Sequence, residues 1–131
     1  MWDNISAREL VAEGASYWPY QTAQVLVSTK RVAALLPGDM RGRFDEHAAL
    51  AQKHCLSCHQ VNGYGGEKLP INLAQTVKTI ERSVFQRWVL SPAQVKPGTT
   101  MPALPDGMPI AQRRAVADKL FDYLQALPVA R

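Results

Sequence analysis

The chain has 131 residues, 47% of them hydrophobic, and carries a formal net charge of +4. That length suits one domain with a core of its own and at most a short extension. No apolar run approaches the roughly 18 residues of a membrane span, and the dispersed basic residues, with no groove-reading motif among them, argue against nucleic-acid binding.

The elements are taken in chain order. Ile5 to Glu13 reads as a short helix, with Ser6 and Glu9 as a capping box and Gly14 as its stop. Tyr17-Trp18-Pro19-Tyr20 is an aromatic cluster broken by proline. Thr22 to Leu36 is ambiguous: Val25-Leu26-Val27 favours a strand, Val32 to Leu36 a helix. Pro37-Gly38-Asp39 is a turn and a boundary, dividing an N-terminal extension, residues 1–40, from a domain at 41–131. With Trp2, Tyr17, Trp18 and Tyr20 the extension is too apolar for a disordered tail. It packs on its own domain, exchanges with a second copy, or is the remnant of a larger chain.

A helix is expected from Phe44 to His54, and Asn62-Gly63-Tyr64-Gly65-Gly66 as a loop. Helical material is expected from Gln75 to Leu90, with Val77, Ile80, Val84 and Trp88 on one apolar face and Pro92 as its end. The last helix starts near Pro109 and stops before Pro128, with Val116, Leu120, Tyr123, Leu124 and Leu127 on its buried face.

Cys55-Leu56-Ser57-Cys58-His59 contains both cysteines of the chain. The spacing C-x-x-C-H is that of c-type haem attachment: two thiols add to the two vinyl groups, and the next side chain reaches the iron. Three other readings compete. A structural disulfide would close a very short, strained loop. A redox dithiol should follow a buried strand and open a helix, yet the preceding residues read as a polar, Ala-rich helix. Zinc needs a fourth ligand from elsewhere.

A six-coordinate haem needs a second axial ligand, and Met101 is the candidate. It lies in a segment studded with Pro97, Gly98, Pro102, Pro105, Gly107 and Pro109, which excludes helix and central strand and suits a rigid strap. Met40 and Met108 are alternatives whose ordinary role is packing. His47 reads as a surface residue, and His54, directly before Cys55, is poorly placed to reach the iron. Tyr64 is a candidate shield for the haem edge.

With these residues the sequence resembles the class I c-type cytochromes over about residues 42 to 128. The likeness rests on Cys55-Leu-Ser-Cys58-His59, then Pro70 and Leu73, then Trp88, then Lys96-Pro-Gly-Thr-Thr-Met101-Pro102, then a final helix through Tyr123 to Leu127. It implies an all-α cytochrome c fold, with helices wrapped around one haem c bound covalently through Cys55 and Cys58. His59 would be the proximal ligand and Met101 the distal one. Pro70 would accept a hydrogen bond from the His59 imidazole, and Trp88 would pack beside the haem and bind a propionate, with Lys96 or Arg87 as a neutralising charge. The family usually has a glycine and an aromatic where this chain has His47 and Ala51. The close crossing of first and last helices must then be built another way, with Phe44 and Tyr123 as the candidates.

The resemblance implies a periplasmic monohaem carrier that shuttles single electrons between redox proteins, not an enzyme. Its alternative is a cytochrome subunit or domain of a larger periplasmic dehydrogenase or oxidase, held together or paired into a homodimer through residues 1–40. Met1-Trp2-Asp3-Asn4 lacks the features of a secretory signal, so a leader removed or replaced is expected. Lys53, Lys68, Arg87, Lys96 and other basic residues would form a docking face for acidic partners. A gas-binding or peroxidatic role would require Met101 to leave the iron.

Overall fold

The computed structural model describes residues 30–69, 71–105 and 107–130, and these are mostly helical. The expected helix at Ile5–Glu13, the aromatic cluster at 17–20, the Val25–Val27 stretch and Pro70 lie outside the described residues. The elements run α1 (Lys30–Leu35), α2 (Asp45–His54), a hairpin of β1 (Gln60–Val61) and β2 (Tyr64–Gly65), α3 (Leu73–Thr76), α4 (Arg82–Leu90), α5 (Pro92–Val95) and α6 (Ile110–Ala126). Single 3-10 turns follow α1 at Gly38–Met40 and α3 at Val77–Thr79. No helix among the described residues is long and apolar enough to cross a membrane.

Helix α6 is the spine of the fold. Val116, Leu120, Tyr123, Leu124 and Leu127 are all buried, as the spacing predicts, and Ala117 and Phe121 widen the stripe. Complete burial of a leucine or valine side chain contributes about 1.5–3 kcal/mol. Helices α2 and α4 both pack on α6. On α2 the inward residues are Ala48 and Ala51, both with no exposed surface. Their small side chains let the backbones come close, and the rings of Phe44 and Tyr123, centroids 6.1 Å apart, close the upper end of the crossing. The crossing is thus made with alanines at neighbouring positions and an aromatic pair one turn earlier.

Helix α1 joins the same core. Leu35 is fully buried, and the Tyr123 hydroxyl donates to the Leu35 carbonyl at 2.7 Å. Burial pushes that phenol well above its usual range. Leu35, Leu36 and Met40 therefore belong to the core that the final helix organises.

The expected continuous face from Val77 to Trp88 does not form. Ile80 and Glu81 are both extended, with ψ near 149°, so the helical phase restarts at Arg82. Phe85 and Val89, four residues apart, then turn inward, while Val84 and Trp88 are left half-buried. Arg82 bonds Asp118 at 3.0 Å and also Asp122, while its guanidinium lies over the Phe121 ring. Lys119 reaches Glu46 at 2.6 Å. These exposed pairs fix how α4 and α2 sit on α6 more than they stabilise it.

Candidate functional site

Helix α2 ends in the cysteine motif. Cys55 still donates its N–H to the Ala51 carbonyl (2.9 Å), and the chain then tightens: Cys58 and His59 both donate to the Cys55 carbonyl, at 3.2 and 3.0 Å. One turn therefore carries both sulfurs and the imidazole. The cysteines are free, not bridged to each other.

A two-residue hairpin clamps this turn. Asn62 (φ 49°) and Gly63 (φ 80°) are left-handed at its tip, the geometry of a type I′ turn. The stretch expected as loop is thus a hairpin, and the Asn-Gly pair is the signal that reveals it. The Gly66 N–H donates to the Leu56 carbonyl at 2.8 Å and to the His59 carbonyl at 3.2 Å. A Cβ on Gly65 would overlap the His59 carbonyl, and one on Gly66 would overlap the carbonyl of Ser57. Only glycine allows so close an approach here.

The opposite wall is the strap. Among the described residues from Lys96 to Pro109 there is neither helix nor strand, as the prolines and glycines dictate. The Thr99 hydroxyl accepts the Met101 N–H at 3.2 Å, and the Leu104 N–H reaches back to the Val89 carbonyl of α4 at 2.8 Å. Met101 is half-buried against the core.

Motif and strap face each other across a cleft of two adjoining lobes. The smaller, about 50 Å³, is lined by Cys55, Cys58, His59 and Met101, with Lys68 and Thr100 at its edge. The larger, about 250 Å³, continues from Cys55 and Met101 down to Val89, Leu104 and Leu120. The smaller lobe carries both sulfur-bearing cysteines, the imidazole and the thioether, and the larger adds the aliphatic side chains of Val89, Leu104 and Leu120. Four of the six expected site residues, Cys55, Cys58, His59 and Met101, come together in it.

Electrostatics follow burial. The Cys55 thiol is pushed up to about 12 by desolvation. That is opposite to the depressed value of a reactive redox dithiol, and Cys55 sits at a helix C-terminus, where the field disfavours a thiolate. Burial pushes His59 below the usual histidine range, the direction that favours the neutral imidazole and its free lone pair. Its buried Nδ1 has no hydrogen-bond partner among the described residues. Among the described residues no group of three or more His, Cys, Asp or Glu side chains comes together to hold a metal ion, so the four-ligand zinc arrangement gains no support.

The remaining candidates fall elsewhere. Trp88 lines neither lobe; the restart of α4 carries Val89 to the cleft instead. Arg87 lines a separate groove with Val84, Ser91 and Val95, and Lys96 is exposed without lining the cleft. Tyr64 faces a shallow groove beside Leu56 and Ser57. Met40 is buried in the core, and Met108 lines neither lobe. His47 is half-buried against the Phe44 ring rather than on the surface. Pro70 lies outside the described residues, but its neighbours bracket the motif: the Leu69 N–H donates to the Cys58 carbonyl at 3.0 Å, and the Ile71 carbonyl accepts the Gln60 N–H at 3.3 Å. His54, which borders both lobes, is the residue that motif reading undervalued. Lys68, expected among the basic residues of the docking face, lines the smaller lobe.

Compared with known proteins, the chain matches no family model, no curated protein and no solved structure.

Proposed function

We propose that the chain is a class I c-type cytochrome, a periplasmic monohaem protein that passes single electrons between redox partners. One observation carries this reading: a pair of free thiols, an imidazole and a thioether line one cleft, which continues along the aliphatic side chains of Val89, Leu104 and Leu120. The residues fit the group. Cys55 and Cys58 would hold haem c through thioether links, His59 and Met101 would ligate its iron, and Val89, Leu104 and Leu120 would help to exclude water from it. The bound group supplies a one-electron couple at iron, with histidine and methionine favouring the reduced state.

The chain's own residues do the rest. Burial lowers the proton affinity of His59, so a proton competes less well for its lone pair. The buried Nδ1 calls for an acceptor, and the carbonyl of Pro70 is the proposed one, on the segment that brackets His59. With two protein ligands the iron has no open position, so no catalysis at the metal is proposed. Lys53 and Lys68, at the margins of the cleft, would steer an acidic partner to it.

The test is expression of the chain alongside a haem-attachment system, followed by acid-acetone extraction and mass measurement of the denatured polypeptide. Colour that stays with the polypeptide and a mass increment of one haem are expected. A bare-chain mass, or haem that extracts freely, refutes the reading.

A further inference from the structure

We propose that Asn62 is a positioning residue for the haem-ligand turn: a four-way clasp that holds the hairpin, and through it His59, against the rest of the molecule. The inference rests on the cytochrome reading for its redox consequence, but not for its geometry.

Asn62 sits at the tip of the hairpin that follows the cysteine motif, and among the described residues it is the one non-glycine with positive φ. Its side chain is fully used. Nδ2 donates to the Pro128 carbonyl at 2.9 Å and to the Ala34 carbonyl at 3.3 Å. Oδ1 accepts the Ala130 N–H at 3.0 Å and the Asn72 Nδ2 at 3.3 Å. The backbone is held as well, since its N–H donates to the Asn72 Oδ1 at 3.0 Å, the same oxygen that caps α3 through the Ala74 N–H. One residue thereby joins the end of α1, the hairpin, the start of α3 and the C-terminal tail.

Few side chains could do this. The role needs two donors and two acceptor sites on a short stem, together with tolerance of a left-handed backbone. Aspartate lacks the donors, glutamine is too long for this reach, and glycine keeps only the backbone. The consequence for the site follows mechanically. The far end of the hairpin holds the Leu56 and His59 carbonyls through the Gly66 N–H. With its tip untied, that end loses its fixed reference and the His59 ring plane loses a constraint. Ligand orientation and hydrogen bonding tune the iron potential.

The decisive experiment compares the haem-loaded parent with Asn62→Gly, which keeps the turn, and Asn62→Asp, which keeps the shape but removes both donors. Leu124→Ala, a core change away from the motif, serves as the control for general loosening. The redox equilibrium constant against a common mediator dye should change about threefold or more in Asn62→Gly, and less in Asn62→Asp. Leu124→Ala should lower Tm without moving that constant. Amide hydrogen exchange at Gly66 should accelerate in Asn62→Gly. A redox constant within error of the parent, or one that moves as much in Leu124→Ala, overturns the proposal. A parent without covalent haem refutes the functional reading instead; Gly66 exchange on that haem-free chain then decides the clasp, and unchanged protection in Asn62→Gly overturns it.

Discussion

The two walls of the cleft are built by opposite means. The cysteine wall is a helix end locked by a hairpin, with backbone hydrogen bonds at Cys55, Leu56, Cys58, His59 and Gly66 and two glycines without room for a methyl group. The methionine wall is an irregular strap held by Thr99 and by the Leu104–Val89 bond, and a Cβ on its Gly98 would meet open space. The difference teaches where precision resides. On the proposed cytochrome reading, covalent attachment and ligation by the imidazole would need a turn that cannot shift, whereas a single sulfur can be presented by a stiff chain with few ties, because proline and glycine limit its conformations before any contact is made.

The sharpest test of this contrast is Gly66→Ala. The new methyl group would strike backbone atoms of Ser57 and Cys58, which have no rotamer to escape into. A loss of about 3 kcal/mol or more is expected in urea unfolding. A loss under about 1 kcal/mol would mean that the hairpin is a loose cover rather than a clamp.

The buried cysteine gives the next largest effect, in the chain without cofactor. The Cys55 pKa is raised from near 8.5 in an unfolded chain to about 12. The unfolded state therefore loses its proton first, and the stability that burial of the neutral thiol provides is complete below pH 8.5 and declines above it. The limiting slope is about 1.4 kcal/mol per pH unit, so a loss of about 2 kcal/mol by pH 10 is expected. Tyr123, also raised, contributes only above its ordinary range near 10. Urea unfolding at pH 8 and pH 10 measures the decline, and Cys55→Ala should flatten it. A slope that survives that substitution would place its origin elsewhere.

On the strap side, Gly98→Ala should cost only about 1 kcal/mol. The space is open, and the penalty is that of an L-residue at φ 78°. If it equals the Gly66 loss in the same urea experiment, the two walls are equally rigid and the contrast fails.

How much of this was legible in the sequence follows from range. The final helix was, because five residues at helical spacing all bury in one direction and nothing interrupts the period. The strap was, because proline and glycine act locally. The face at Val77–Trp88 was misread because two extended residues, Ile80 and Glu81, reset the phase, and no strong breaker marks them. The hairpin was hidden by its length, two residues a side, although Asn62-Gly63 announced its turn. Three of the partners of Asn62 were out of reach altogether. Ala34, Pro128 and Ala130 offer only backbone groups, which every residue possesses, so no pattern singles them out.

Met101→Ala separates position from stability. Its side chain is half-buried at the edge of a cleft, so removing it leaves less of a void than a core truncation, whose usual cost is about 2–5 kcal/mol. A loss of about 1 kcal/mol or less is expected in urea unfolding. The spectroscopic effect should be all or none: the long-wavelength charge-transfer band of methionine on ferric haem should vanish, and carbon monoxide, which the reduced parent should bind little or not at all, should bind readily once the sixth position is free. Survival of the band would assign the sulfur to another residue, with Met108 the nearest in sequence. A large loss of stability would show that the strap depends on its sulfur for shape, the reverse of a segment stiffened by its own backbone.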